Sequence, residues 1–267
     1  MVRGLYINGW SMLAHNRKMD VIANNLANAN TKGYKKETAC FESFPELMVR
    51  RIHDTFSPLN PSARVGIVEL SADISQNFIF FNPGPSEWTE RSLDIAIDDL
   101  EGEDNASRAR SFFTIEYMNP QTGEQEVRYT RDGAFVLGPD GVLRTVTGNF
   151  VLGENGRITL NGDDFVVAMD GQVMQNGAVV DRLRITSFED PHTLRKMGDN
   201  LYVATEESVE RAFDGVLRQY YLEQSNVSIV TEMVDMITVM RAYEANQKMV
   251  HVIDSTLEKA CNEVGRV

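Results

Sequence analysis

The two ends of the chain resemble each other more than either resembles the middle. Residues 1–36 and 222–267 both carry apolar side chains at helical spacing, whereas the stretch between them alternates short strand-like runs with tight turns. A chain that sends both termini into one helical layer and holds a β-rich body between them is constrained to an α+β fold. It is expected to have a mainly antiparallel β body, with N- and C-terminal helices pairing in a coiled-coil-like layer. Such a layout is suited to stacking and points to assembly before catalysis.

In the first segment Leu5, Met12, Met19 and Leu26 recur every seven residues, with Ile22 and Ala29 three positions on and Asn8 and His15 in the other companion places. The row fits a heptad seam or an ordinary core-facing helix. Gly33, after Asn30-Thr31-Lys32, is the expected helix stop, because glycine enters the left-handed conformation at little steric expense. At the other end Met233, Met236, Met240, Tyr243, Gln247, Val250, Leu257, Cys261 and Val264 alternate by threes and fours, interrupted by Asp254. Neither Pro nor Gly occurs from Leu222 to Val264, which predicts one helix of about ten turns, capped by Asn226 or Ser228. Asn24, Asn25, Asn28 and Asn30 are poor helix formers. Two explanations fit them: a frayed helix end, or amides that bond to neighbouring chains and fix one packing register.

Between the ends, Asp132-Gly133, Asp140-Gly141, Asn155-Gly156, Asn161-Gly162, Asp170-Gly171 and Asn176-Gly177 each join a residue that tolerates positive φ to one that favours it. Phe112–Tyr117, Gly133–Leu137, Phe165–Met169 and Leu183–Phe188 read as strands of the body. The expected organisation is a helix over 1–36, an irregular connector over 37–69 with a short helical piece at Pro45–Ile52, a β-rich domain over 70–220, and a helix over 221–267.

The chain has 26 basic and 39 acidic residues, a net charge of −13, which disfavours nucleic acid and anionic lipid as partners. The imbalance is uneven. Residues 1–36 carry Arg3, Arg17, Lys18, Lys32, Lys35 and Lys36 against Asp20 alone, whereas residues 222–267 carry seven acids against four bases, so the ends are electrostatically complementary. Cys40 and Cys261 are the only cysteines, too few for a disulfide framework. With the terminal helices antiparallel they would stand about 40 to 45 Å apart, beyond bonding reach. No run is long enough to span a membrane, and Asn8, Gly9, Ser11 and His15 interrupt any signal-peptide core, so direct membrane insertion and a cleaved signal are not expected.

No catalytic constellation is apparent. His15, His53, His192 and His251 show no metal-ligand spacing, and neither a phosphate loop nor a nucleophile elbow is present, so no cofactor or metal is expected. The acid pairs Asp98-Asp99 and Asp163-Asp164 read as solvated surface. A glycosidase would require a pocket holding two carboxylates about 5 to 9 Å apart.

Three motifs in order carry a family resemblance. The segment Met19–Lys36, with Ala23-Asn24-Asn25-Leu26-Ala27-Asn28-Ala29-Asn30-Thr31 at its centre, resembles the N-terminal signature of bacterial flagellar rod and hook proteins. Leu222-Glu223-Gln224-Ser225-Asn226-Val227, Glu232-Met233-Val234 and Arg241-Ala242-Tyr243-Glu244-Ala245-Asn246 are similar to the C-terminal partner of that signature. Tyr129-Thr130-Arg131-Asp132-Gly133-Ala134-Phe135, with Leu93-Asp94-Ile95-Ala96-Ile97 upstream, matches the body. Asn8-Gly9-Trp10-Ser11 departs from the small-residue run that the family usually carries, and Glu101–Arg110 expands a turn that is usually short.

The resemblance implies a structural subunit of the basal-body rod (the FlgF/FlgG type), not an enzyme. The subunit would be exported by the flagellar type III apparatus without signal cleavage and polymerised beyond the inner membrane, in the periplasm. Its partners would be further copies of itself and other rod and hook proteins. The proximal type is favoured over the distal by Phe41–Leu47 followed by Arg50-Arg51. Assembly is expected to use Leu5, Met12, Met19, Ile22, Asn24, Asn25, Leu26 and Asn28 on the first helix, with Met233, Met236, Met240, Tyr243, Asn246, Val250 and Leu257 on the second. Both termini are expected to be disordered until neighbours supply apolar surface. The competing reading is a secreted β-domain binding module closed into an oligomer by its terminal helices.

Overall fold

The computed structural model describes residues 2–43, 47–52, 62–68, 72–99, 110–120 and 123–264. Helices stand at the two ends and antiparallel strands fill the interval, an α+β arrangement. The chain divides into two compact units. One contains residues 1–26, 37–78 and 229–267, and the other residues 27–36 and 79–228.

The first unit is built from two long helices, α1 (Val2–Ala27) and a C-terminal helix spanning Ile229–Lys259, and four strands: β1 (Glu37–Ser43), β2 (Leu47–Ile52), β3 (Ser62–Val68) and β4 (Ala72–Ile79). The C-terminal helix, called α2 below, ends in a π-helical turn over Ala260–Val264. β1 pairs with β4, and β2 pairs antiparallel with β3. The helical piece expected at Pro45–Ile52 is therefore a strand over Leu47–Ile52, and the stretch expected to be irregular contributes β1, β2 and β3. Val49 and Ile52 are residues that favour a pleated strand, and cross-strand pairing decides the outcome. Pro45, Pro58 and Pro61 lie outside the described residues.

α1 and α2 run antiparallel in a single register. Asn246 donates to the Ser11 hydroxyl at 2.9 Å, Asn25 donates to Glu232 at 3.1 Å, and a Cβ on Gly4 would lie 3.2 Å from Ile253. Seven residues down α1 from Gly4 to Ser11 match seven up α2 from Ile253 to Asn246, and fourteen from Ser11 to Asn25 match fourteen from Asn246 to Glu232. The shared seven-residue step is what a seam between long helices requires. α1 ends at Ala27, six residues before the expected stop, where the asparagine-rich turn opens with Thr31 N–H bonded to the Asn28 carbonyl. α2 begins at Ile229, directly after Ser228, and Leu222 belongs instead to a strand over Tyr221–Glu223.

The second unit is the β body. Its central strand, Ser111–Met118, lies antiparallel to Gln125–Thr130 on one side and to Phe150–Gly153 and Ile185–Phe188 on the other. Adjacent residues of a strand face opposite ways, so Phe112 and Phe113 enter different cores. Phe113 packs with Ile95, Ile115, Phe135 and Leu143, and Phe112 with Phe81, Tyr129, Phe188 and Tyr202. Asn176 and Gly177 both take positive φ, at 53° and 79°, and reverse the chain between Gln172–Gln175 and Ala178–Arg182 as the hairpin signal implied.

Candidate assembly site

The residues singled out in the sequence fall into two geometries. On α1, Ile22 and Asn25 are buried, Met12, Met19 and Leu26 are half-buried, and Leu5 and Asn24 are exposed. On α2, Met236, Tyr243, Asn246, Val250 and Leu257 are half-buried, whereas Met233 and Met240 are exposed. The row facing α2 runs through Gly4, Ser11 and Asn25, one position before the Leu5, Met12, Met19, Leu26 row, a rotation of about 100° around the helix. Small and polar residues therefore occupy the close contact. Several of the larger apolar ones stand beside it or outside it.

Asn25 shows how that contact is fixed. Its Nδ2 donates to the Glu37 carbonyl at 2.7 Å and to Glu232, and its Oδ1 accepts from Glu37 N–H at 3.0 Å. This amide thus bonds within its own unit, joining α1, β1 and the first turn of α2. Glu232 suits that place, since a carboxylate near a helix N-terminus is favoured by the exposed backbone N–H groups. Asn28 lies beyond α1 and accepts from the Thr31 hydroxyl.

The body contains a constellation that pattern alone missed. The Glu223 carboxylate accepts from Lys35 Nζ at 2.5 Å, Arg131 Nε at 2.5 Å and Gly84 N–H at 2.9 Å. Arg131 also donates to Asp99 at 2.7 Å and to the carbonyls of Ser111 and Ile97. Lys35 donates to the Asn82 carbonyl. Two positive and two negative groups, three of them almost wholly buried, thus balance in one cluster. Burial alone would push the Glu223 carboxyl up, but the charges and hydrogen bonds of Arg131 and Lys35 outweigh it and hold the group down at about 2. Burial, opposed by Glu223, lowers the Lys35 ammonium to about 8.

Three glycines let the backbone close around this cluster. A Cβ on Gly33, Gly84 or Gly133 would approach the carbonyls of Arg131, Gln224 or Ile95 to 2.6, 2.0 or 1.7 Å. Gly33, expected to stop a helix, instead holds a positive φ of 64° and donates its N–H to the Glu223 carbonyl. Asn226 accepts from Lys36 N–H and donates to the carbonyls of Phe80 and Asn82. Lys35, Arg131 and Glu223 come from the three motifs that carry the family resemblance, so those motifs meet at one point in the body. The available signal was the opposite charge of the two ends. Part of that charge lies here, not between the helices.

The acid pairs resolve differently. Asp98 and Asp99 face opposite sides of a strand over Ile95–Asp99, so Asp98 meets Arg218 near solvent while Asp99 turns inward to Arg131. Asp163 and Asp164 line an open groove with Glu90, and all three are exposed. A glycosidase acid needs a carboxyl sheltered from water, and none of the three is so placed. Among the described residues no group of three His, Cys, Asp or Glu side chains is placed to hold a metal, and no helix is long and apolar enough to cross a membrane. Cys40 and Cys261 are exposed free thiols. Residues 101–109 of the expanded turn lie outside the described residues.

Comparison with known proteins bears on the same segments. Residues 11–35 match the family model described as Flagella basal body rod protein, and residues 218–263 match the one described as Flagellar basal body rod FlgEFG protein C-terminal. The chain is 29% identical over 278 residues to the flagellar hook-basal body complex protein FlhO of Bacillus subtilis, covering 100% of both chains. It is 33% identical over 272 residues to the flagellar basal-body rod protein FlgF of Caulobacter vibrioides, with 100% and 98% of the two chains covered. Against the flagellar basal-body rod protein FlgG of Buchnera aphidicola subsp. Baizongia pistaciae it is 30% identical over 276 residues, with 97% and 98% covered. Rod proteins of both names thus match at similar identity. The chain belongs to the flagellar basal-body rod protein family, whose members are structural components of the flagellar basal body and not enzymes.

Proposed function

We propose that the subunit polymerises through its terminal helices, with the α1 and α2 pair forming an inner wall of the rod and the β body facing outward. The observation that carries this reading is the exposure of apolar side chains on helices already paired with each other. Met233 and Met240 on α2 and Leu5 on α1 face solvent although both helices have a partner in the chain. Neighbouring copies and other rod and hook proteins would cover that surface. The single chain already pairs the two helices, so neighbours are needed to cover them and not to bring them together.

The family's place in the basal body further suggests export by the flagellar type III apparatus, without a cleaved signal, and polymerisation in the periplasm. Met240→Arg tests the assembly reading, because it charges an exposed position without disturbing the helix pair. Expressed in the flagellated host, the variant should be exported and should fold its body, yet be missing from purified basal bodies. Incorporation at the wild-type level would refute the role given to the helices.

A further inference from the structure

The helical unit places two apolar features at opposite ends of the α1 and α2 pair. On α1, Leu5, Tyr6, Trp10 and Leu13 surround Gly9, whose missing side chain leaves a notch of about 250 Å³. Apart from its neighbours along α1, nothing among the described residues lies within 4 Å of the place where a Cβ on Gly9 would stand. Glycine is the weakest ordinary residue for a helix interior, and no packing among the described residues requires it here. On α2, Val230, Met233, Val234, Ile237 and Met240 follow at three- and four-residue steps and are 47–73% exposed, forming a ridge centred on Val234.

The register sets the offset between them. Ser11 is level with Asn246, so Gly9 is level with Lys248, fourteen residues from Val234, or about 20 Å along the axis. We propose that the α2 ridge of one copy seats in the α1 notch of the next, with Val234 entering the space above Gly9. The proposal rests on the assembly reading given above and names its contact. Charge favours that partner. α1 carries Arg3, Arg17 and Lys18 against Asp20, whereas α2 carries five acids against three bases. Because notch and ridge are different surfaces, the contact is heterologous. Each copy is displaced by about 20 Å and the series stays open-ended.

Cysteine cross-linking in the full chain tests this. In a background of Cys40→Ser and Cys261→Ser, one preparation carries Gly9→Cys and another Val234→Cys, and the two are oxidised separately and as an equal mixture. The mixture should give a two-chain product at least about tenfold above either preparation alone. An equal product from one preparation alone indicates symmetric pairing and overturns the contact, as does the absence of product in the mixture. In that last case filaments seen by electron microscopy would leave the rod reading standing, and their absence would remove both. A second variant, Gly9→Leu, fills the notch while raising helix propensity, so unfolding of α1 cannot explain its effect. It should lower the yield of assembled material about tenfold, and an unchanged yield overturns the proposal.

Discussion

In the body, Phe112, Phe113, Phe135, Phe188 and Tyr202 have no exposed surface, whereas of the side chains described on α1 and α2 only Ala14, Ile22, Asn25, Glu232 and Val239 are buried. The contrast separates two kinds of stability. The body closes aromatic and aliphatic cores of its own and neutralises its own buried charges. The helix pair fixes its register with polar residues and leaves much of its apolar surface uncovered. One region has a closed core of its own. The other has room for a neighbour.

The contrast can be broken most severely at Glu223. Glu223→Ala would leave Lys35 and Arg131 buried without their shared carboxylate, and should lower the stability of the body by about 3–5 kcal/mol in denaturant unfolding of the full chain. A loss under about 1 kcal/mol would mean that water reaches the cluster. A pH series sharpens the same point. The folded-state pKa of Glu223 is about 2 against an ordinary 4.5, so its contribution is fully present above the unfolded value and disappears as pH falls toward 2. The stability difference between wild type and Glu223→Gln should therefore shrink by about 3 kcal/mol between pH 5 and pH 2. A pH-independent difference would remove the carboxylate's charge from the explanation.

On the helix side the effects should be smaller. Asn25→Ala removes the hydrogen bonds to Glu37 and Glu232 and should weaken the helical unit by about 1–3 kcal/mol, seen as faster amide exchange in α1 and α2 with the body unchanged. Equal acceleration in both units would show that they unfold as one. Met240→Arg should alter thermal stability by no more than about 0.5 kcal/mol, since its side chain already faces solvent. A large loss would mean that the ridge is covered within the subunit.

Strands and turns of the body were legible because their signals are local. Asn176-Gly177 needs only its own backbone preferences to reverse the chain. The helices were legible as elements but not in detail. Apolar periodicity points to Leu5 and Met12, while the contact falls on Gly4 and Ser11, whose small size permits close approach and carries no hydrophobic signal. The β2 and β3 pair was missed because Pro58 and Pro61, in the sequence between the strands, weigh against regular structure, while cross-strand pairing is not a local signal. The ionic cluster was hidden for a stronger reason. Each of its members looks like a surface charge among its sequence neighbours, and only the fold brings Lys35 to Glu223.

Those two residues stand 188 positions apart, with Arg131 between them. Neither end of the body can close this lock alone, and it stays open until the segments around both residues have met. A chain cut short before Glu223 would retain two cations with a single counter-ion, so a closed lock marks a body that is whole.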